Sequence, residues 1–336
     1  MAMSLEDKIS EQFDGFTIKA PDPKKDHPWH LEHLHADFVE LRALLWDKNS
    51  FLTLQDAITF YKDFEFSINF EETHSIEDMT SSSVSEKNDK WVSKFKEIFG
   101  VIEERYLIYE DSYPFEIDGL KIKLKESLND VNKLYLYLLI SSNLNNFSKL
   151  ENVLTTEFET LSKLTLESFF PGMTVEEFGQ NSEYKGNTIN KIKALSTKLK
   201  VKSRITEIEQ ITKIANKEKG LDIIGWQNFR DNISNMLVIL GQCACGKNWV
   251  NKRGDTGDYE DSYLDFHRLK PIHAMFIPYG LIRYSDTLFQ SDNTNGRLLF
   301  ERKRILDVLI PKINIIKDIE SFKIVEKCID FDEVEI

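Results

Sequence analysis

The chain has 336 residues, of which 41% are apolar, so it is long enough to bury the core of one large domain or of two smaller ones. No run of about 18 apolar residues occurs, and the first residues are polar and acidic, so we expect neither a membrane span nor a signal peptide. The 3 cysteines exclude a disulfide framework and predict a reducing, cytoplasmic environment.

The charge is distributed unevenly, although the net charge is -13. Residues 1–184 hold 18 Lys and Arg against 35 Asp and Glu, a net charge of -17, whereas residues 185–336 hold 25 against 21, a net charge of +4. Ten basic and three acidic residues lie within 185–219. Such a stretch can bind a polyanion, because each neutralised phosphate releases counterions. A solvated helix face explains the same charge equally well.

Amphipathic helices dominate the structure predicted for residues 1–170. The elements are predicted from apolar spacing, helix caps and turn residues. In chain order they are a helix over 30–46, a capped helix start at Thr53-Leu54-Gln55-Asp56, a helix over 91–109, a hairpin turning at Asp118-Gly119, and two helices between 127 and 169. Residues 71–90 are rich in Ser, Thr, Glu and Asp and are predicted to form a long flexible loop. We therefore expect an acidic, mainly helical domain at 1–170.

A second domain, 171–336, is predicted to begin at Pro171-Gly172. Its predicted elements are a loop over 174–187, a basic helix over 188–200, strands over 221–226 and 237–244, an apolar β segment over 271–279, and a helix over 297–309. The run Leu-Val-Ile-Leu in the second strand is continuous, which is typical of a strand buried on both faces. Alternation along this strand puts Gln242 and Ala244 on one face and Cys243 on the other.

The stretch 220–252 holds the candidate site, for which we consider three interpretations. The segment 241–247 matches the G-x-x-x-x-G-K pattern of a phosphate-binding loop after a hydrophobic strand, but Asn248 stands where Ser or Thr would hold magnesium. The second interpretation is a cysteine site, with Cys243 and Cys245 as zinc ligands or as nucleophile. A closed zinc site would need further ligands from distant residues, such as Cys328, His267 and His273.

The third interpretation is a resemblance. An acid on one strand, then a glutamine on the next strand and a basic loop, resembles the core of the restriction-endonuclease-like superfamily, the PD-(D/E)XK nucleases. More narrowly, four parts of the sequence resemble a group of bacterial, defence-associated proteins of that superfamily. These are Gly220-Leu221-Asp222, Gly241-Gln242-Cys243-Ala244, Gly246-Lys247-Asn248-Trp249 and Lys252. In the family, an acid and a second acid or glutamine hold a divalent metal, and a lysine orients or activates the attacking water.

The resemblance implies the residues of the site. Asp222 and Gln242 are expected to bind Mg²⁺ or Mn²⁺. The family's usual lysine position is occupied by Ala244, so Lys252, or secondarily Lys247, is expected to act instead. An acid from a preceding helix often completes the family's metal site, and the candidates here are Glu183, Glu207, Glu209 and Glu218. A structural role for Asp222 at a strand end is the alternative.

The resemblance also implies fold and function. It predicts an α+β or α/β protein in which the helical domain precedes a restriction-endonuclease-like domain with a central mixed β-sheet flanked by helices. The expected activity is metal-dependent cleavage of DNA in a bacterial antiviral defence system, and the expected protein partner of the acidic half is an ATPase or helicase. The main alternative is a catalytically degenerate nuclease fold that binds nucleic acid or a partner. Phosphate contacts are predicted for Lys185, Lys191, Lys198, Lys202, Arg302 and Arg304.

Overall fold

The structure is a computed structural model that describes residues 3–331 except 25–27, 29–30, 65–80, 180–181, 205–219, 230, 232, 247, 290–293, 295 and 317–318. In this part the α-helices are α1 (Leu5–Phe13), α2 (Glu32–Leu44), α3 (Leu54–Asp63), α4 (Ser81–Tyr109), α5 (Asp130–Ser141), α6 (Glu151–Phe169), α7 (Thr188–Lys198), α8 (Arg302–Leu309), α9 (Ile313–Ile316) and α10 (Phe322–Ile329). The strands are β1 (Leu52–Thr53), β2 (Phe115–Ile117), β3 (Lys121–Leu124), β4 (Thr174–Glu177), β5 (Lys202–Ser203), β6 (Ile223–Trp226), β7 (Val238–Cys243), β8 (Leu264–Asp265), β9 (Ile272–Phe276) and β10 (Leu298–Phe300). Among the described helices, none is both long and apolar enough to cross a membrane.

The chain forms two compact units. Unit 1 comprises Met1–Glu151, Tyr279–Phe289 and Glu320–Ile336, and unit 2 comprises Asn152–Pro278 and Gln290–Ile319. Nearly all of α6 therefore belongs to unit 2, and two later segments of the chain return to unit 1.

Unit 1 is mainly helical and carries a small antiparallel sheet in the order β1-β3-β2. Its centre includes α5, in which every side chain from 134 to 140 is 0% exposed, because the sequence is apolar nearly all round. The predicted cap of α3 is present, since the Thr53 hydroxyl accepts the Asp56 N–H and the Asp56 carboxylate accepts the Thr53 N–H. The predicted hairpin also forms, and Gly119 supplies the left-handed conformation that its turn needs (φ 59°).

The predicted loop over 71–90 differs from the structure in its second half. Residues 71–80 lie outside the described residues, but the chain is already helical from Ser81, where α4 begins. The polar first turns of α4 have the composition of a loop. The helix is secured further along by the fully buried rings and side chains of Phe95, Ile98 and Ile102.

A buried ionic cluster lies in the core of unit 1. Arg105 Nη1 lies 2.8 Å from Asp37 Oδ1 and 3.0 Å from Glu40 Oε2. The hydroxyls of Tyr113 and Tyr135 each donate a hydrogen bond to the Glu40 carboxylate. Burial alone would lower the pKa of Arg105, but Glu40 and Asp37 outweigh it and raise the pKa. The guanidinium therefore stays charged in the core of unit 1.

Unit 2 is built on a mixed five-stranded sheet in the order β10-β9-β7-β6-β4. β6 is antiparallel to β4 and β7, while β7, β9 and β10 are parallel. Ile192 and Leu195 of α7 pack with Ile224 of β6 on one face. Leu166 of α6 approaches Gly225 from the other face. The expected mixed central sheet with flanking helices is therefore confirmed.

Two of the sheet's strands were not predicted. β4 lies in the segment that was expected to be a loop. It is an edge strand in which only Val175 is buried, so its sequence lacks the apolar run of a central strand. β10 occupies the start of the helix predicted over 297–309. A short apolar run does not distinguish strand from helix, and α8 begins only after Glu301, whose side chain accepts the Arg304 N–H as an N-cap.

Candidate functional site

The candidate site lies where β6 begins and β7 ends. The Asp222 N–H donates to the Gly241 carbonyl at 3.0 Å, and the Asp222 carbonyl accepts the Phe178 N–H at 2.7 Å. The pairing of β6 with β7 ends at Ile223 and Gly241, and Asp222 is the residue just before β6 begins. Asp222 and Gln242, which were expected to bind a metal, thus lie at the same end of the β6–β7 pair.

The side chain of Asp222 is held by the backbone of the neighbouring strand. Its Oδ2 accepts the N–H of Cys243 at 2.7 Å. A hydrogen bond to an ionised carboxylate is short and strong, and it offsets part of the cost of placing the charge in a half-buried position. The orientation of the carboxylate is therefore fixed by β7 itself.

The side chain of Gln242 is 3% exposed and is held by Asp255. Its Nε2 donates to Asp255 Oδ2 at 3.0 Å. An ionised carboxylate only accepts hydrogen bonds, so the amide must turn its NH₂ group to Asp255. The other end of the amide, Oε1, is buried and accepts no hydrogen bond from the described residues. Because buried acceptors are nearly always satisfied, this oxygen is suited to bind a ligand.

The approach of Asp255 depends on Gly220. Gly220 has φ +77°, and a Cβ at this position would lie 2.2 Å from the Asp255 Cβ. Another residue at 220 would therefore displace Asp255. Asp255 was not predicted from the sequence, since its position 13 residues beyond Gln242 follows no helix or strand period.

A second polar network anchors the segment that carries Asp255. The Thr256 hydroxyl lies 2.9 Å from His273 Nδ1, and Glu260 Oε2 lies 3.0 Å from His273 Nε2. Lys270 Nζ lies 3.0 Å from the other oxygen of Glu260. Partial burial would raise the pKa of Glu260, but the hydrogen bonds from His273 and Lys270 prevail and lower it. These contacts tie the chain after Asp255 to β9.

The thiols of Cys243 and Cys328 are poorly suited to act as nucleophiles. The pKa of the Cys243 thiol is raised well above its usual value, first by burial and then by the carboxylates of Asp222 and Glu159. Burial also raises the pKa of Cys328, which belongs to unit 1. A thiolate ligand or nucleophile needs the opposite shift. His273, expected as a further ligand, has both ring nitrogens within hydrogen-bonding distance of Thr256 and Glu260.

The first three residues of the phosphate-loop pattern over 241–247 lie on a strand. Gly241, Gln242 and Cys243 are the last residues of β7 and pair with β9 in register. They therefore do not form a loop that could wrap a phosphate with backbone N–H groups. Lys247, the last residue of the pattern and a predicted catalytic residue, lies outside the described residues.

A buried lysine, Lys191, lies closer to the strand end of Asp222 than its predicted role in DNA contact implied. Ala244 is 0% exposed, and Lys252 is an exposed residue of the 3₁₀ segment Trp249–Gly254. Lys191 of α7, expected on a DNA-contacting surface, is only 8% exposed. Its Nζ donates to the carbonyl of Gly179 at 3.1 Å. Gly179 follows Phe178, the backbone partner of Asp222, so Lys191 lies near the strand end that carries Asp222.

The other residues predicted to contact DNA are divided between surface and interior. Arg302 is 0% exposed, and its Nε donates to the Pro278 carbonyl at 2.9 Å. Burial removes Arg302 and Lys191 from a phosphate-binding surface, because such contacts need exposed side chains. Exposed positions are held by Lys185, Lys198, Lys202 and Arg304. Lys198 is paired with Glu176 at 2.5 Å.

Of the four acids expected to complete a metal site, the structure describes one. Glu183 is exposed, while Glu207, Glu209 and Glu218 lie outside the described residues. Glu159 of α6, which was not predicted, lies near Cys243, since its charge raises the pKa of that thiol. Within the described ranges, no three His, Cys, Asp or Glu side chains are grouped so that they could hold a metal ion.

The donors present at the site nevertheless fit a hard divalent cation. Asp222 offers a carboxylate, and Gln242 offers the buried Oε1 that accepts no hydrogen bond from described residues. Mg²⁺ and Mn²⁺ prefer oxygen ligands, and they commonly keep water in several coordination positions. Two side-chain oxygens are thus compatible with such an ion.

Similarity to known proteins gives no independent guide to this site. No protein-family model, curated protein or solved structure matches the chain. The residues of the site and the fold that positions them are therefore the basis for assigning a function.

Proposed function

We propose that unit 2 is a metal-dependent nuclease domain that hydrolyses DNA phosphodiester bonds, with Asp222 and Gln242 as the ligands of Mg²⁺ or Mn²⁺. The observation that carries this proposal is the buried Oε1 of Gln242, which has no donor among the described residues and lies on β7 at the strand end beside Asp222. The mixed sheet with a helix on each face supports it, because a restriction-endonuclease-like domain requires this architecture.

Each residue of the site has a defined task in this proposal. A bound divalent cation would supply positive charge to the phosphodiester and activate water. Asp222, oriented by the Cys243 N–H, supplies the negative ligand, and Gln242 supplies a neutral one. Lys191 supplies the positive charge that Ala244 cannot. The ammonium group of Lys191 donates to the carbonyl of Gly179, the residue after Phe178, whose backbone N–H donates to Asp222.

The substrate and the setting belong to the same proposal. DNA phosphates would be bound by exposed basic residues, of which Lys185, Lys202 and Arg304 belong to the described part of unit 2. A role in antiviral defence, and an ATPase or helicase as partner of the acidic half, rest on the sequence resemblance. Both stay predictions.

Cleavage of plasmid DNA by the purified full chain tests the proposal. We expect cleavage with Mg²⁺ or Mn²⁺, no cleavage with EDTA, and a loss of at least about 100-fold in Asp222→Asn and Gln242→Ala. Asp258→Asn, a change at an exposed acid of the same unit, serves as the matched control and should cleave like the wild type. Equal cleavage by the wild type and Asp222→Asn would overturn the assignment.

A degenerate nuclease fold that only binds nucleic acid is the second candidate function. It is favoured by the buried Ala244 at the expected lysine position and by the lack of a three-ligand group among the described residues. This candidate predicts that Mn²⁺ does not bind at Asp222, while DNA binding persists and weakens with salt. A calorimetric Mn²⁺ titration of the wild type and Asp222→Asn therefore separates the two functions.

A further inference from the structure

We infer that Asp255 is a positioning residue, which fixes the end of the Gln242 amide that is left to bind a cation. The inference rests on the proposed cation site, and it adds a residue to which neither the sequence patterns nor the resemblance assigned a role. Its basis is the bond from Gln242 Nε2 to Asp255 Oδ2 and the buried Oε1 at the other end of the same amide.

A glutamine ligand faces a problem that a glutamate ligand does not. The two ends of its amide have nearly the same shape, but one is an acceptor and the other a double donor. Rotation about the last side-chain bond exchanges them, and the preference of this torsion is broad and roughly two-fold. An NH₂ group turned towards a cation would repel it. Gln242 therefore needs a partner that accepts only one of the two orientations.

Asp255 meets this requirement by its chemistry. A carboxylate accepts hydrogen bonds and donates none when ionised, so only the NH₂ end of Gln242 can face it. The reverse orientation would set Oε1 against Oδ2, two acceptors at hydrogen-bonding distance. Because the bond is assisted by charge, it favours the observed orientation more strongly than a neutral acceptor would.

The fold holds Asp255 rigidly in this position. On one side, Gly220 leaves room for the Asp255 side chain, since a Cβ at residue 220 would come within 2.2 Å of it. On the other side, the next residue, Thr256, is 0% exposed and lies 2.9 Å from His273 of β9. The position of Asp255 is therefore set by contacts that do not depend on Gln242.

A double-mutant cycle with Mn²⁺ as the probe distinguishes positioning from other roles. The affinity for Mn²⁺ is measured by calorimetry in the full chain, for wild type, Asp255→Ala, Gln242→Glu and the double variant. We expect Asp255→Ala to weaken Mn²⁺ binding by about 10-fold or more when residue 242 is glutamine. In the Gln242→Glu background the same change should not weaken binding, because a carboxylate presents an oxygen in either orientation and Asp255→Ala removes a like charge beside it.

The other outcomes of the cycle are equally informative. If Asp255→Ala weakens binding by the same factor in both backgrounds, Asp255 is a direct ligand or a purely structural residue, and the inference is overturned. The melting temperature of each variant is measured alongside. Should Asp255→Ala unfold, Asp255→Asn replaces it, and its smaller loss must again be confined to the glutamine background. Asp258→Ala, at an exposed acid, is the matched control and should leave the affinity unchanged in both.

The cycle also separates this inference from the proposed function. A wild type that binds Mn²⁺ through Asp222 and shows the background-dependent loss, but cleaves no DNA, would overturn the nuclease and keep the positioning role of Asp255. A wild type that cleaves DNA but shows no effect of Asp255→Ala would do the reverse. Absence of Mn²⁺ binding in the wild type would overturn both.

Discussion

The Nζ of Lys191 lies 3.1 Å from the carbonyl oxygen of Gly179, just beyond the end of β4. Lys191 is 8% exposed and lies on α7, whose apolar side packs on the sheet face that also carries Ile224 and Leu240. By strand alternation, Gln242 faces the same side as Leu240. Lys191, which charge alone assigned to DNA binding, is thus a buried lysine on the sheet face to which Gln242 belongs.

We predict that Lys191→Met abolishes cleavage while DNA binding persists. Methionine retains the length of the buried stem but removes the charge, so the cleavage rate should fall by about 100-fold or more. Lys193→Met, at an exposed position of the same helix, is the matched control. Single-turnover cleavage and fluorescence anisotropy measure the two properties. Equal effects of the two substitutions, or a full-rate Lys191→Met, would contradict the assignment to Lys191.

We predict that Arg105→Met strongly destabilises unit 1. The substitution leaves the buried carboxylates of Asp37 and Glu40 without their cation, which typically costs about 3–5 kcal/mol in the free energy of unfolding. Arg283→Met breaks an ion pair with Glu104 in the same unit, but the Arg283 side chain is 42% exposed, so about 0–1 kcal/mol is expected. Urea unfolding of both variants gives the comparison, and losses of similar size would show that burial of the cluster is unimportant.

We predict that Glu260 makes the protein sensitive to acid. The pKa of Glu260 is lowered from its usual 4.5 in the folded state, so its contribution to stability is present above about pH 4.5 and is lost as the pH falls through the lower folded value. Glu260→Gln should therefore show a shallower loss of melting temperature below about pH 5 than the wild type does. Glu183→Gln, at an exposed glutamate, is the control and should retain the wild-type slope.

We predict that Thr53→Ala weakens α3 at its start. The variant loses the hydroxyl that accepts the Asp56 N–H, and removal of such a cap costs about 1 kcal/mol. Thr59→Ala changes the same residue type at an exposed position within α3. This control should be neutral or slightly stabilising, because alanine favours the helix interior. Chemical denaturation measures both, and a Thr53→Ala variant as stable as Thr59→Ala would argue against the cap.

The elements that the sequence predicted well are those with a strong local signal. A few neighbouring residues were enough to predict three elements. They are α7 from its apolar stripe, α3 from its cap and β7 from its continuous apolar run. The same local signal brought Asp222 and Gln242 together, because two neighbouring buried strands joined by a turn tend to pair.

The elements that were missed depend on tertiary contacts. β4 is a strand only because β6 offers it a paired edge, and β10 is a strand only because β9 does. Asp255 and Lys191 reach the site through the path of the chain around the sheet. No periodicity in the sequence encodes that path, so neither residue could be assigned from spacing.

The division of the chain into units bears on the order in which the protein folds during synthesis. Lys133 of α5 and Glu326 of α10 form an ion pair in unit 1, although 193 positions separate them in the sequence. The ribosome therefore releases α10 only after all of unit 2 has emerged. Since domains generally fold as units while they are synthesised, unit 2 can complete its core first. The apolar face of α5 that α10 covers stays exposed until then, and in a fragment ending at residue 170 it would stay exposed permanently.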